Sequence, residues 1–352
     1  MSRVLYIGDL HMGNENSSML DFLKLLSKVR NRRYDEIIFL GDIIDGLEKY
    51  QTHKYHQYTE TMVVQAEMLK WLIEFMNANM KYKKLVFILG NHDVDPRWGS
   101  LIDVELYSKM YGIEFYRHYI DSNKMLCLHQ LAKSARVGSQ SGWTPSMVDK
   151  AKTILMEYYE YGARGIVTAH VHKILDILYN SGYIFVLLPS FMTSGRMVAE
   201  DYIFKPSIVE MTEEGLNIYS TEFSDLKIIR MFNMRLVNEI MIDRSRIETF
   251  DDVEKIYKEV VVDYVENGDK TELVAEVETE KGMKYTLYYD RESREYVVYK
   301  NGEYYFRIAE SKFNDVIREL IKKKPYNEIA YTTRVPRVYV GVLARFILDR
   351  VL

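Results

Sequence analysis

The sequence contains little cysteine, little proline and no long apolar run. Its 352 residues include 1 cysteine, Cys127, and 6 prolines. A single thiol excludes an intrachain disulfide framework and a metal site built from several thiolates. No stretch approaches the roughly 20 apolar residues that a transmembrane helix needs, and the N-terminus lacks the apolar core of a signal peptide. We therefore predict a cytoplasmic protein without membrane insertion.

Neither sign of charge predominates strongly. The formal net charge is −4 at pH 7, so the chain as a whole does not attract a polyanion such as nucleic acid. Binding of phosphate groups would then need a local basic patch or a bound metal. The hydrophobic fraction of 47% and the charged fraction of 28% are typical of a globular protein. The length suits one large domain, or a domain of about 200 residues with a smaller one.

Short apolar strands alternate with amphipathic helices in the first part of the chain. Apolar runs predict strands over 3–7, 35–40, 84–89, 124–128 and 165–168. Helical spacing of apolar residues predicts helices over 19–29, 59–80, 103–111 and 144–161. Because parallel strands are joined by crossovers that are usually helical, this alternation predicts a largely parallel sheet with helices on its faces. The predicted fold class is α/β.

The pattern changes near residue 223. A helix is predicted over 251–265, and tyrosine-rich strands and a closing helix follow it over 273–279, 284–289, 296–300, 304–308 and 311–323. We therefore predict two domains, a catalytic domain over 1–222 and a smaller α+β domain over 223–352. The second domain would serve as a cap, as an oligomerisation element of a homodimer, or as a partner-binding element.

Polar clusters stand just after the predicted strands. In open α/β sheets, ligands bind outside the carboxyl ends of the strands, so these positions are where chemistry is expected. The cluster that ends the third strand is Gly90-Asn91-His92-Asp93. The clusters contain 5 of the 8 histidines of the chain, namely His11, His92, His129, His170 and His172. The carboxylate and amide members are Asp9, Asp42, Asn91 and Asp93.

Carboxylate, imidazole and amide groups without thiolates suit divalent metals such as Mn, Fe, Zn or Ni. Residues two apart in an extended chain point to the same side, so an Asp-x-His or His-x-His pair can reach one ion. The number of candidate ligands exceeds what one ion takes and suits two ions that share a ligand, for which Asp42 is the candidate. His92 is left as a general acid or as a cation facing a developing oxyanion, and Asp93 would orient it.

The ordered set of motifs resembles the calcineurin-like metallophosphoesterases. The motifs are Asp9-Leu10-His11, Gly41-Asp42-Ile43-Ile44-Asp45, Gly90-Asn91-His92-Asp93, His129 and Ala169-His170-Val171-His172. The resemblance covers the predicted N-terminal domain and leaves the C-terminal part outside. Ala169 stands where the family has glycine, and Gln130 stands where glycine is common. Neither departure removes a ligand.

The resemblance implies a four-layer α/β/β/α sandwich that holds two divalent ions. By resemblance, one ion takes Asp9, His11 and His172, the other takes Asn91, His129 and His170, and Asp42 bridges them. Manganese is the favoured metal, with Fe, Zn, Ni and Co as alternatives. The implied reaction is hydrolysis of a phosphate ester by a metal-bound hydroxide, and His92 acts on the phosphoryl group or the leaving oxygen.

Three functional interpretations compete. The first is a phosphoesterase, with phosphodiesters favoured over phosphomonoesters. The second is a nuclease resembling the SbcD type, which has a smaller domain after the phosphodiesterase domain and works on DNA with an ATPase partner; the domain order matches and the net charge does not favour it. The third is a non-catalytic scaffold that uses the metal site for binding, and the presence of His92 disfavours it.

Residues near the motifs receive plainer interpretations. We predict that Asp45 is a turn carboxylate or a group that orients a ligand, and not itself a ligand. His53 and His56 are predicted to lie on a solvated loop. Arg97 and Trp98 are the nearest candidates for contact with a phosphate or a base.

Overall fold

A computed structural model describes residues 2–14, 16–46, 62–95, 99–131, 143–171, 175–192, 205–221, 224, 226–267, 271–279, 282–290 and 293–351. The strands are β1 Val4–Ile7, β2 Arg33–Phe39, β3 Lys81–Ile88, β4 Val94–Asp95, β5 Gly99–Ser100, β6 Glu114–Tyr116, β7 His118–Ile120, β8 Met125–Leu128, β9 Gly165–Thr168, β10 Asp176–Asn180, β11 Tyr183–Leu187, β12 Ser207–Thr212, β13 Gly215–Ser220, β14 Thr271–Glu278, β15 Lys284–Asp290, β16 Glu295–Lys300 and β17 Glu303–Ala309. The helices are α1 Met19–Val29, α2 Met62–Asn79, α3 Val104–Tyr111, α4 Pro145–Glu157, α5 Leu226–Ile242, α6 Phe250–Asn267, α7 Glu310–Ile321, α8 Tyr326–Thr333 and α9 Arg337–Val351.

Two sheets form the centre of the first compact unit, Met1–Val261. The larger sheet has the order β13-β12-β1-β2-β3-β6, in which β1, β2, β3 and β6 are parallel. The second sheet has the order β10-β11-β9-β8-β7, in which β11, β9 and β8 are parallel. Tyr6, Ile38 and Val86 from the first sheet pack in one cluster with Val167 and Val186 from the second. The sheets therefore share an apolar interface.

Helices cover the outer faces of both sheets. Phe39 and Phe87 of the larger sheet share a core cluster with Leu23 of α1 and Leu72 of α2. On the second sheet, strand residues such as Phe185 pack in a cluster with residues of α4 such as Leu155. Local sequence explains where these helices begin: Ser18 and Thr144 accept hydrogen bonds from the first-turn amides of α1 and α4. The layers are helix, sheet, sheet and helix, so the predicted mixed α/β fold is confirmed.

Helix α5 belongs to the first unit. Its residues Phe232, Leu236 and Ile240 are buried in the same cluster as α1 and α2, and Phe250 of α6 joins them. The compact units separate between Val261 and Val262, within α6, whereas we placed the domain boundary at 222/223. No helix was predicted over 226–242, and periodicity does not indicate which core the apolar face of a helix will join.

The second compact unit, Val262–Leu352, is an antiparallel sheet covered by helices. The strand order is β14-β15-β16-β17, and every neighbouring pair is antiparallel. Leu287, Val298 and Phe306 of the sheet pack with Val316 of α7 and Leu343 of α9. We predicted a smaller α+β domain after the catalytic one, and an additional β-rich C-terminal unit is confirmed. Helices α5, α8 and α9 were not predicted.

Among the described residues, no helix is both long and apolar enough to cross a membrane.

Candidate metal centre

Both sheets of the first unit deliver polar residues to one place. Strands β1, β2 and β3 end shortly before Asp9, Asp42 and Asn91, while β8 and β9 of the second sheet end shortly before His129 and His170. Asp9, His11, Asp42 and His129 are at most 3% exposed. Side chains far apart in sequence therefore meet at the carboxyl ends of the strands, as expected for a site in an α/β fold.

Two motif glycines allow the strand ends to approach closely. A Cβ atom on Gly41 would lie 2.6 Å from Nδ1 of His129, and Gly41 has φ +92°. A Cβ atom on Gly90 would lie 2.2 Å from both the amide nitrogen and Oδ1 of Asp42. Because such distances are far below van der Waals contact, only glycine fits at these two positions.

Three candidate ligands have left-handed backbone conformations. The φ angles are +49° at His11, +46° at Asp42 and +73° at His170. Such conformations cost on the order of 1–3 kcal/mol each and persist where the surrounding structure holds them. The amide N–H groups of Leu10 and His11 both donate to the carbonyl oxygen of Asp42, at 3.1 and 2.8 Å. The pairing of Asp9 with His11 therefore depends on a tight turn, and our explanation by extended alternation was wrong at that position.

Three candidate ligand atoms lie close to Nε2 of His129, which is itself a fourth. Its Nδ1 donates to the carbonyl oxygen of Leu40 at 2.6 Å, which leaves Nε2 directed at the other groups. Nε2 lies 3.1 Å from Oδ1 of Asn91, 3.1 Å from Oδ2 of Asp42 and 3.1 Å from Nδ1 of His170. Lone pairs of carboxylate, amide and imidazole groups that meet in this way repel each other unless a cation or a proton lies between them. The arrangement therefore fits a divalent metal.

A second group of candidate ligands shares Asp42. Candidate ligand atoms of Asp9, His11 and Asp42 all lie within 4.8 Å of one another, as do those of Asp42, His129 and His170. Nε2 of His11 is 3.7 Å from Oδ2 of Asp42, and Nδ1 of His129 is 3.6 Å from Oδ1 of Asp9. His172, which we predicted as a ligand with Asp9 and His11, lies outside the described residues.

Asp42 and His129 each stabilise the charged form of the other. Burial opposes the charge of Asp42, but His129 and His92 outweigh that effect and hold the pKa of Asp42 well below its usual value. Burial likewise opposes the imidazolium form of His129, but the Asp42 carboxylate outweighs burial and raises the pKa of His129 to about 10. A metal that binds here must displace that proton, because imidazole coordinates metals in its neutral form.

His92 lies beside this group and is more accessible than its neighbours. Its amide N–H donates to Oδ1 of Asp42 at 2.8 Å, and Nδ1 of its ring donates to the carbonyl oxygen of Asp45 at 2.8 Å. The His92 side chain is 25% exposed, against 1% for Asp42. Burial opposes its charge, but the carboxylates of Asp42 and Asp45 outweigh burial and raise the pKa of His92.

The carboxylate of Asp93 accepts hydrogen bonds from main-chain N–H groups of two loops. Its Oδ1 accepts the amide N–H groups of Ile43 and Ile44 at 3.0 and 3.2 Å, and its Oδ2 accepts that of Gly90 at 2.8 Å. Burial and the nearby charge of Asp42 raise the pKa of Asp93 to about 7. We predicted that Asp93 orients His92, but both of its oxygens are directed to main-chain donors. Adjacency in sequence did not indicate this role.

The carboxylate of Asp45 lies close to both His11 and His92. Its Oδ1 lies 3.2 Å from Nδ1 of His11, and its Oδ2 accepts from Nδ2 of Asn14 at 3.3 Å. Oδ1 is also 3.9 Å from Nδ1 of His92, and an ion-binding group of His11, Asp45 and His92 is geometrically feasible. The contact with Nδ1 of His11 is one that a ligand-orienting carboxylate would make, and that interpretation of Asp45 stays a prediction.

Sequence reasoning missed Gln65. Gln65 is 1% exposed and lies on α2, where its Oε1 accepts the amide N–H of Gly46 at 2.8 Å and its Nε2 donates to the carbonyl oxygen of Gly46 at 3.3 Å. The side chain therefore clamps the end of the loop that carries Asp42 and Asp45. In the sequence it is one polar residue of an amphipathic helix, so no pattern distinguished it.

Four residues near the motifs lie outside the described part of the chain. These are His53, His56, Arg97 and Trp98. Cys127 is fully buried between the sheets, where burial and the charge of Asp121 raise the pKa of its thiol well above the usual value. The thiol behaves as a small apolar group of the core.

Comparison with known proteins identifies the domain. The family model for calcineurin-like phosphoesterases matches residues 2–173. The chain carries a calcineurin-like phosphoesterase domain. The family implies divalent metals, and the clusters of His and Asp described above could hold them. The resemblance predicted from the motifs is therefore confirmed. No match to the chain was found among curated proteins.

Several solved structures are similar to the chain at low identity. Vps29 of Entamoeba histolytica in complex with Zn²⁺ has a TM-score of 0.33 at 13% identity, covering 63% of this chain and 99% of that chain. Vps29 of Chaetomium thermophilum has a TM-score of 0.37 at 13% identity, with coverages of 64% and 88%. A hypothetical protein of Pyrococcus horikoshii has a TM-score of 0.40 at 14% identity, with coverages of 75% and 97%.

Proposed function

We propose that the phosphoesterase domain hydrolyses phosphate esters with two divalent ions, and that phosphodiesters are favoured over phosphomonoesters. The observation that carries the proposal is the position of Asp42, which belongs to two groups of candidate ligands and also accepts the amide N–H of His92. A shared carboxylate is what a pair of ions in one centre needs. The two ligand groups and the catalytic candidate therefore meet at a single residue.

Described residues supply ligands for both ions. Asp9, His11 and Asp42 would hold one ion, and Asp42, Asn91, His129 and His170 the other. The family resemblance adds His172 to the first set. Manganese is favoured because oxygen and imidazole ligands without thiolates suit it, with Fe, Zn, Ni and Co as alternatives. When bound, divalent ions polarise phosphoryl oxygens and lower the pKa of water.

His92 is the proposed general acid. Its Nδ1–H donates to the carbonyl oxygen of Asp45, so the ring is held in one orientation and its Nε2 is the nitrogen that would carry a proton to the leaving oxygen. The raised pKa of His92 favours the protonated ring that this role requires. Its partial exposure lets a substrate reach it, whereas His11 and His129 are buried.

A second candidate is a nuclease that works with an ATPase partner. It is favoured by the presence of a second compact unit, Val262–Leu352, after the phosphoesterase domain. The net charge of −4 argues against tight binding of a nucleic acid backbone by the chain alone. We therefore favour the general phosphodiesterase over the nuclease.

A substrate panel separates the candidates. Metal-free protein is supplied with Mn²⁺ and assayed with bis-p-nitrophenyl phosphate, p-nitrophenyl phosphate, single-stranded DNA and double-stranded DNA. Preferential turnover of the diester supports the first proposal, and DNA cleavage that Asp42→Ala abolishes while DNA binding persists supports the nuclease. Absence of turnover with every substrate, with Mn²⁺ binding demonstrated by calorimetry, would reject an enzyme and leave a metal-binding scaffold.

A further inference from the structure

Helix α5 lies beyond the residues that match the phosphoesterase family, yet it contacts the loop that follows the first ligand pair. We infer that α5 is a working part of the metal centre, and that Arg230 on this helix is a positioning residue for His11. The inference rests on the proposed function, since it assumes that His11 binds metal. It adds a support that the family motifs do not include.

A chain of polar contacts runs from Arg230 to His11. Nη2 of Arg230 donates to Oδ1 of Asn16 at 2.8 Å, and the amide N–H of Asn16 donates to Oδ1 of Asn14 at 2.9 Å. Nδ2 of Asn14 donates to Oδ2 of Asp45 at 3.3 Å. The other carboxylate oxygen of Asp45 lies 3.2 Å from Nδ1 of His11. The guanidinium on α5 is therefore four contacts from a candidate ligand.

The intermediate residues are buried. Asn14 is 1% exposed, and Asn16, Asp45 and His11 are each 2% exposed. In such an environment a polar group must keep its hydrogen bonds, because water cannot replace them, and neighbouring hydrogen bonds polarise one another. Loss of the contact at Arg230 is therefore expected to weaken the contacts between it and His11.

Helix α5 holds the same loop at a second point. Nδ2 of Asn233 donates to the carbonyl oxygen of Ser17 at 2.6 Å, and Oγ of Ser17 donates to the carbonyl oxygen of Leu10 at 2.5 Å. Leu10 separates Asp9 from His11 in sequence, so this path ends between two candidate ligands. Asn233 is 1% exposed. Two independent side chains of one helix thus fix the loop.

The need for this support follows from the backbone of His11. The residue has φ +49°, a conformation that surrounding contacts must maintain. Helix α5 is a firm base for such contacts, because Phe232 and Leu236 anchor it in the core with α1 and α2. Groups that orient metal ligands commonly change metal affinity by about 10–100-fold when they are removed. Asn14 and Arg230 belong to that class here.

The test measures Mn²⁺ affinity by calorimetry in Asn14→Ala, Asn16→Ala and Arg230→Ala. We expect the largest loss, about 10–100-fold, for Asn14→Ala and a loss of about 10-fold for Arg230→Ala. Arg230→Lys keeps the charge and should restore part of the affinity. Arg235→Ala is the matched control on the same helix, because Arg235 is 51% exposed and pairs with Glu239 and Glu259; its affinity should stay within about twofold of wild type.

The relative Mn²⁺ affinities of the variants decide whether the inference holds. Affinity of Arg230→Ala within twofold of wild type, together with a weakened Asn14→Ala, would overturn the role of α5. If Arg230→Ala does not fold, Asn16→Ala and Arg230→Lys answer the same question, and normal affinity in both overturns the inference. Failure of the wild-type protein to bind Mn²⁺ would instead refute the proposed metal centre, so the two failures are distinguishable.

Discussion

The two compact units differ in what they bury. The first unit buries several ionisable side chains together, including Asp9, Asp42 and His129. The second unit has an apolar core of sheet and helix residues, and its buried polar side chains in the described part are Thr286, Glu319 and Thr333. Removing a charge from water costs several kcal/mol, so a protein keeps buried charges mainly where partners or function compensate for them. The first unit carries that cost at several residues, whereas the described part of the second unit buries a single carboxylate, Glu319, which pairs with Lys322 and Lys324.

Burial of charge alone does not mark the candidate metal centre. The first unit also buries Glu210, whose carboxylate pairs with Arg32 at 2.9 Å and accepts a hydrogen bond from Tyr34 at 3.1 Å. In that cluster every acceptor has a donor, so it needs no ion. At His129, by contrast, the lone pairs of Asn91, Asp42 and His170 converge on one nitrogen. Convergence of acceptors is what distinguishes the two clusters.

The largest effect is expected from removal of the shared carboxylate. Asp42→Ala should lose Mn²⁺ from both ligand groups and reduce turnover of bis-p-nitrophenyl phosphate by several orders of magnitude, because Asp42 belongs to both groups. Glu319→Ala, which changes a carboxylate of the second unit, is the control and should leave metal content and turnover near wild type. Equal metal content in Asp42→Ala and wild type would remove the distinction between the units.

A smaller loss is expected from His92→Ala. The variant should retain Mn²⁺, because His92 belongs to neither of the two proposed ligand sets, while turnover falls about 10²–10⁴-fold. Calorimetry and steady-state kinetics measure the two effects. His118→Ala is the matched histidine control in the same unit, since His118 contacts Tyr158 at 2.6 Å and lies on β7. Loss of metal from His92→Ala would make His92 a ligand.

The stabilisation that Mn²⁺ gives the protein should depend on pH in a defined direction. In the metal-free protein, the raised pKa of His129, about 10, contributes stability that is fully present below the unfolded-state pKa of about 6.5 and is lost as the pH rises through about 10. Bound Mn²⁺ replaces that proton, so the increase in Tm caused by Mn²⁺ should grow as the pH rises from about 6.5 to about 9. Thermal melts with and without Mn²⁺ check this. A shift that shrinks with rising pH would contradict it.

The smallest effect on the metal centre is expected from the core of the second unit. Phe306→Ala removes a fully buried ring and should destabilise that unit by about 3–5 kcal/mol. Mn²⁺ affinity should stay within about twofold of wild type, because the candidate ligands described here lie in the first unit. Denaturant unfolding and calorimetry give the two values. A large loss of metal affinity would show that the units do not behave separately.

Much of the fold and of the candidate site was predictable because the relevant information is local. The helix Met19–Val29 and the strand Gly165–Thr168 have the predicted bounds, since their periodicity and caps lie within the segments themselves. The polar residues after β1, β2, β3, β8 and β9 could be named for the same reason: a strand end is visible in sequence. Their convergence was inferred from the rule that parallel strands end at one edge.

The sequence by itself determined the identities of the candidate ligands, the order of the motifs and the alternation that makes the first unit α/β. Tertiary structure alone decided which core α5 joins, which donors Asp93 satisfies, and that Gln65 and Arg230 support the loops of the centre. It also decided the left-handed conformation of His11. The physical reason is the same in each case: these features depend on contacts between residues distant in the chain, and no local pattern records which partner a side chain will meet.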